Sequence, residues 1–302
     1  GIRDLVRSRG LGDMYKRQEM KQMFMEKDTI IAVLVLYKTK FSMAKTVQTL
    51  SKSMAIVGWT RLDIVVYDNS PEYNTSFIDN EKDNIYFAIH YIADYSNSGV
   101  SKAYNITARL GRTLNKKYLL LLDQDTEIAL SFCKTISMIR GSYPLIFPIL
   151  VNDGVIISPC KYQFGRGSSL SANECTEGLK RINNKNFLNS GAIISIPLFE
   201  KIGGFDESLP LYFSDFNFFN RMRKIVNSYY QMDVCCYHEM SSNDDSNIEQ
   251  FIRRFELYCD GALKCYKDVP NEFLMASNIL LRAIKVGIKH KTLRFTIIAM
   301  QK

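Results

Sequence analysis

YLLLLDQDTEI, residues 118–128, sets four leucines behind Tyr118 and then runs into Asp123, Gln124 and Asp125. An unbroken apolar run of this length predicts a strand buried on both faces, as in a parallel sheet covered by helices. Carboxylates are costly to bury without a partner. The stretch therefore predicts a core strand and also a point, at the strand's end, where two acids must meet water or a cation. For an isolated acid-x-acid pair the commoner outcome is a solvated loop, so the weight must come from the rest of the chain.

Similar strands flank it. TIIAVLVLYK (29–38) and RLDIVVYDNS (61–70) are apolar, β-branched runs, and NIYFAIHYIAD (84–94) is a shorter one. Between them, 41–57 and SNSGVSKAYNITARLGRTL (96–114) carry the spacing of helices, the second opening on turn residues. Strand and helix alternating at this interval predict an α/β fold with a Rossmann-like, mostly parallel central sheet flanked by helices. Downstream lie a helix near 129–140, the apolar stretches YPLIFPIL and GVIISP, and a polar segment over 161–186 read as a loop or short hairpin above a site. NSGAIISIP (189–197) and SYYQMDVCCYHEM (228–240) predict strands, with a short helix closing in Gly203-Gly204 and an aromatic helix, LYFSDFNFFNRMRKI, between them. From about 247 the pattern is helical. The expected division is a non-native or poorly ordered leader over 1–27, an α/β domain over 28–246 and a helical C-terminal extension over 247–302.

Bulk properties narrow the function. The 302 residues are 46% hydrophobic and carry a net charge of +8, enough apolar content for a packed core and a bias toward anionic partners. No nucleic-acid-binding motif accompanies the charge, so nucleic acid is not an expected partner. The seven cysteines form no C-x-x-C pair, which argues against a zinc framework and fits a reducing, cytoplasmic setting. No signal peptide and no apolar run of about 18 residues is evident.

Polar residues close nearly every strand at its carboxyl end: Tyr37 the first, Asp68-Asn69-Ser70 the second, Asp94 through Gly99 the third, Asp123 and Asp125 the fourth. In open α/β sheets that end is where ligands bind, and a single cleft is the economical reading.

The succession VLYK, VVYDNS, NSGVSKAYN, LLLLDQD, NSGAIIS, FEKIGGFDE, SDFNFFNR and YH resembles the inverting family 2 glycosyltransferases of the GT-A fold, most of all their bacterial rhamnosyltransferase branch. The likeness covers about 29–240. It implies a nucleotide-sugar donor, a divalent metal (Mn²⁺ or Mg²⁺) and a saccharide or lipid-linked saccharide acceptor, in the synthesis of a bacterial surface polysaccharide. It implies Asp125 and His238 as metal ligands, with Asp123 nearer the ribose or a metal-bound water. Hard carboxylate oxygens suit such ions, which keep water and accept phosphate ligands.

Asp215 is implied as the general base; its neighbours Phe213, Phe216 and Phe218 would desolvate it and raise its pKa. Ser214 stands where many family members have Glu, a departure that spares the acid. Tyr37 and Asp68 are implied at the nucleobase, and Asn97, Gly99 and Asn105 around the nucleotide. Gly99 would allow close backbone approach at a helix start, where free N–H groups favour anions. The leading donor is dTDP-rhamnose, with a UDP-hexose as the alternative; a nucleotidyltransferase or a non-catalytic sugar-nucleotide-binding homologue are rivals. Lone histidines such as His90 and His290 read as structural. The basic, apolar C-terminal segment with Arg282, Lys285, Lys289, Lys291 and Arg294 predicts either a packed helix or peripheral contact with an anionic membrane.

Overall fold

The computed structural model describes residues 25–71, 84–163, 166–239, 248–266 and 272–302, so the leader expected over 1–27 falls almost wholly outside the described residues. The first half alternates as its apolar runs dictate: β1 (Ile30–Leu36), α1 (Lys45–Ile56), β2 (Leu62–Asp68), β3 (Phe87–Ala93), α2 (Val100–Thr113) and β4 (Tyr118–Asp123). The second half is cut finer. After β5 (Thr126–Glu127) and α3 (Phe132–Met138) come β6 (Leu145–Asn152), β7 (Val155–Ser158), β8 (Cys160–Gln163) and β9 (Arg166–Ser169). Next are β10 (Gly178–Arg181), β11 (Lys185–Asn186), β12 (Ile193–Ser195), α4 (Ile196–Ile202), α5 (Ser214–Met222) and the long β13 (Ser228–His238). Three helices finish the chain: α6 (Ile248–Tyr266), α7 (Glu272–Lys289) and α8 (Arg294–Gln301).

One curled sheet organises the molecule, in the order β10-β13-β6-β12-β4-β1-β2-β3. β1 pairs in parallel with β2 and β4, and β2 with β3, so the carboxyl ends of the four early strands share one edge. β12 runs against both β4 and β6. It brings the Asn189–Ser190–Gly191 turn alongside the end of β4, where Gly191 N–H bonds to Leu121 C=O at 2.8 Å.

Strand alternation divides the core in two. Ile30, Ala32, Leu34 and Leu36 of β1 face one layer with Val47, Leu50 and Met54 of α1 and Phe132 and Ile136 of α3. Ile31, Val33 and Val35 face the other, with Ala103, Tyr104 and Ala108 of α2, Phe199 of α4, and Phe218, Phe219 and Met222 of α5. A strand apolar at every position is what a sheet covered on both sides demands, each large side chain contributing about 1.5–3 kcal/mol on burial. The aromatic inner face expected for α5 is there: Phe218 stacks on Phe205 with ring centroids 4.2 Å apart.

The segment read as a loop or hairpin over 161–186 is more structured than that. β8, β9 and β11 form a small antiparallel sheet, and β10 leaves it to extend the main sheet along β13. Gly165 and the side chain of Arg166 lie outside the described residues. The C-terminal helices have a core of their own, built from Ile252, Phe255, Cys259, Ala262, Met275, Ile279, Ala283 and Phe295. All seven cysteines are free thiols, only Cys235 of them exposed.

Candidate active site

The end of β4 is held by α1. The Thr46 hydroxyl lies against the carbonyls of Asp123 and Thr126 and accepts the Thr126 N–H at 3.0 Å, fixing the turn that carries both acids. Within that turn Asp123 faces two hydroxyls: its Oδ1 accepts from Tyr104 at 3.3 Å, and its Oδ2 from Ser190 in a short contact. Tyr104 Oη accepts from Asn189 Nδ2 at 2.5 Å, so α2 and the turn before β12 converge on the same carboxylate.

His238 arrives through strand register. β13 pairs with β5 so that His238 stands opposite Thr126, one residue beyond Asp125. Its Nδ1 is 2.8 Å from Thr126 Oγ1, 3.3 Å from Ser190 Oγ and 3.7 Å from Asp125 Oδ1. Asp125 Oδ1 is buried and has no hydrogen-bond partner. Burial, and then the negative charge of Asp123, push the Asp125 carboxyl above its ordinary range, with His238 pulling the other way. A buried carboxylate oxygen left without a donor is the feature a cation would satisfy. Among the described residues no group of three or more His, Cys, Asp or Glu side chains is placed to hold a metal ion. Were an ion bound here, Asp125 and His238 are the side chains that could hold it, with water and phosphate filling other positions as Mg²⁺ or Mn²⁺ allow.

Asp215 reaches this place from the other side, in the first turn of α5. Its Oδ1 accepts the Phe216 N–H at 2.9 Å. Burial drives its carboxyl up to about 6; the Phe216 N–H opposes the shift, the charge of Asp123 adds to it, and His238 opposes it again. Asp123, His238 and Asp215 therefore share one electrostatic environment. The N-terminus of α5 is set by Phe213, whose φ of 64° lies in the left-handed region. α6 braces it: the ring of Phe213 is 5.1 Å from that of Tyr258, and Arg254 Nε donates to Tyr212 Oη at 3.1 Å. Gly261 passes so close that a Cβ there would stand 2.7 Å from the Tyr212 carbonyl oxygen.

Solved structures share this architecture. GalNAc-T7 with UDP, GalNAc and Mn²⁺ superposes with a TM-score of 0.54 at 12% identity, over 89% of this chain and 55% of that one. The fold is GT-A. This chain spans about half the length of that protein. S. aureus TarS 1-349 follows with a TM-score of 0.48 at 12% identity over 90% of each chain. Mannosyltransferase PcManGT from Pyrobaculum calidifontis, in complex with GDP-Man and Mn²⁺, has a TM-score of 0.48 at 11% identity over 96% of this chain and 92% of that one. No protein-family model and no curated protein matches the sequence.

On the other flank of the GT-A sheet edge, Asp68 is buried, its Oδ1 accepting the Ser70 N–H and its Oδ2 the Tyr91 hydroxyl, both at 2.9 Å. Tyr37 is exposed, its N–H bonded to Gln124 Oε1 at 2.8 Å, which ties the end of β1 to the end of β4. Asn97 adopts φ 51° in the turn after β3.

Two residues expected at the nucleotide also make close contacts within the protein. Gly99, φ 88°, makes its close approach to protein: a Cβ there would stand 2.1 Å from the Pro210 carbonyl oxygen, and that carbonyl takes the first helical N–H, of Val100, at 3.0 Å. This N–H is not open to an anion. Asn105 spends its amide on the Gly204–Phe205 turn, donating to Phe205 C=O at 2.9 Å and accepting the Phe205 N–H at 2.8 Å. It fixes the GGFDE segment, its amide also donating to Glu207 Oε1 at 2.9 Å.

Sequence reading passed over Tyr104, Thr46 and Thr126 as site residues, and nothing in their local sequence marks them. Ser190 lay within the NSGAIIS stretch read as a strand; the GT-A sheet brings it to Asp123. Arg221 donates to the carbonyls of Ile202 and Gly204 at 2.8 and 2.7 Å, closing the end of α4. His90 pairs with Asp63 at 2.9 Å, and the ring of His290 packs against Phe251 and Phe295, as structural histidines do.

Proposed function

We propose that this protein is an inverting, metal-dependent glycosyltransferase that moves a sugar from a nucleoside diphosphate donor to a saccharide hydroxyl. The observation that carries the reading is a pair of unlike acids that both feel Asp123 and His238: Asp215, shifted up to about 6, and Asp125, with a buried oxygen that accepts no hydrogen bond. A carboxylate with a pKa near neutrality is suited to take a proton from an alcohol as that alcohol attacks. In the step proposed, the acceptor oxygen bonds to the anomeric carbon while Asp215 takes its proton, and the bond from that carbon to the diphosphate oxygen breaks. A single base with no carboxylate nucleophile assigned favours one displacement and inversion. Asp125 and His238 would hold the divalent ion, which when bound supplies charge neutralisation for the departing diphosphate. Asp123, steadied by Tyr104 and Ser190, would face the ribose or an ion-bound water. GalNAc-T7 was crystallised with UDP, GalNAc and Mn²⁺, in keeping with such a donor and ion.

By the sequence resemblance, the preferred donor is dTDP-rhamnose, with a UDP-hexose next, and the acceptor a bacterial surface polysaccharide or its lipid-linked precursor. The test is a panel of nucleotide sugars with Mn²⁺ or Mg²⁺, reading nucleoside diphosphate release. Release of inorganic diphosphate instead would indicate nucleotidyl transfer. Donor binding with no release under any acceptor would leave a sugar-nucleotide-binding protein and overturn the proposal.

A further inference from the structure

A surface helix of a globular protein ordinarily carries one apolar stripe, turned toward its core. α7 carries two. Met275, Ile279 and Ala283 are buried against α6, the first two almost completely and the third fully. Leu281, Ile284 and Ile288, spaced by three and four, are exposed on the far face, roughly 180° round at 100° per residue. Leu293, just before α8, and Ile297 and Met300 within it are likewise exposed, again at spacings of four and three. Ile288 is 74% exposed, Leu293 76% and Met300 77%, values out of keeping with large aliphatic side chains that have found their final neighbours.

Charge selects the kind of neighbour. Residues 273–302 hold six Lys and Arg and no Asp or Glu. Arg294 pairs with Glu249, Lys302 with Asp260, and Arg282 lies over the Tyr258 ring at 4.3 Å. Lys285, Lys289 and Lys291 are exposed beside the apolar stripe. An aliphatic strip edged by lysines and free of acids matches the boundary between acyl chains and anionic headgroups. No described helix is long and apolar enough to cross a bilayer, so contact would be along the surface.

We propose that the outer face of α7 and α8 docks on an anionic phospholipid bilayer, with Leu281, Ile284, Ile288, Leu293, Ile297 and Met300 entering the headgroup–acyl boundary and the three lysines contacting phosphate. The surface lies on the C-terminal helices, and its test needs no sugar donor. The full chain is sedimented with vesicles of phosphatidylcholine and phosphatidylglycerol at three to one, and with vesicles of phosphatidylcholine alone. Binding is expected to the first and to be much weaker to the second. Lys285→Gln, Lys289→Gln and Lys291→Gln are each expected to weaken it about fivefold. Ile288→Ser together with Leu293→Ser is expected to weaken it at least about tenfold without moving the melting temperature, since both side chains are exposed. Equal binding to both vesicle types, or none to either, overturns the proposal. So does a dimer in lipid-free solution that the Ile288→Ser/Leu293→Ser variant dissociates, because a second copy would then be the cover.

Discussion

Asp94 and Asp215 both stand at element ends, one following β3 and one opening α5, and the protein treats them oppositely. Asp94 is fully answered: it accepts from Tyr67 Oη at 2.7 Å and from the N–H groups of Ser96 and Ser98 at 3.1 Å, with the Ser96 hydroxyl added. Burial alone would raise its carboxyl, but these hydrogen bonds outweigh it and hold the group well below the usual aspartate range. Asp215 has one N–H, from Phe216, and burial wins. What separates a carboxylate that builds a turn from one able to accept a proton is how many donors the fold has already given it.

The contrast can be broken or sharpened by substitution. The largest effect expected is on rate: Asp215→Asn should cut kcat by about 10²–10⁴-fold with donor affinity nearly unchanged, read by nucleoside diphosphate release and by donor titration. Unchanged turnover would remove Asp215 as the base. In the wild type, kcat/KM should rise with pH through about 6 and then level, because the base acts only when deprotonated. That limb should be absent from whatever activity the Asn variant retains.

Stability should move in opposite directions at the two sites. Asp94→Asn loses charge-assisted hydrogen bonds and should cost about 2–3 kcal/mol at pH 7 in denaturant unfolding. Because the folded-state pKa of Asp94 is depressed, its contribution is present above the unfolded value and is lost as pH falls below it. For Asp215 the sign reverses. Its folded state holds a proton more tightly than the unfolded chain, so the wild type should lose stability as pH rises from about 4 to about 6. Asp215→Asn should then be more stable than wild type at neutral pH by on the order of 2 kcal/mol, an advantage that disappears near pH 4. The smallest effect expected is from Tyr104→Phe, which removes the hydroxyl between Asp123 and Asn189: about a tenfold fall in kcat and about 1 kcal/mol of stability.

How far the sequence reached depends on where each partner sits along the chain. β1 and β4 were legible because strands covered on both faces are apolar at every position, a pattern complete within seven residues. β5 and β11 have two residues each and β7 through β10 four, too few for any period to show. The same logic governs the site. The desolvation of Asp215 was visible in the phenylalanines beside it. The contacts of Gly99 with Pro210 and of Asn105 with the Gly204–Phe205 turn were not legible, because those partners lie about a hundred residues on and leave no local trace. Tyr104, turned into the core between Asp123 and Asn189, is spaced like any packed helical tyrosine.

The tight passage of Gly261 beneath Tyr212 has a practical corollary for anyone trimming this chain. A shortened form ending before residue 248 would keep every strand of the sheet yet remove the brace under the left-handed Phe213. Asp215 would then ride on an unsupported nine-residue helix. The smallest autonomous unit that keeps the candidate site should therefore reach to residue 266, and the terminal helices are better regarded as bedrock than as an appendage.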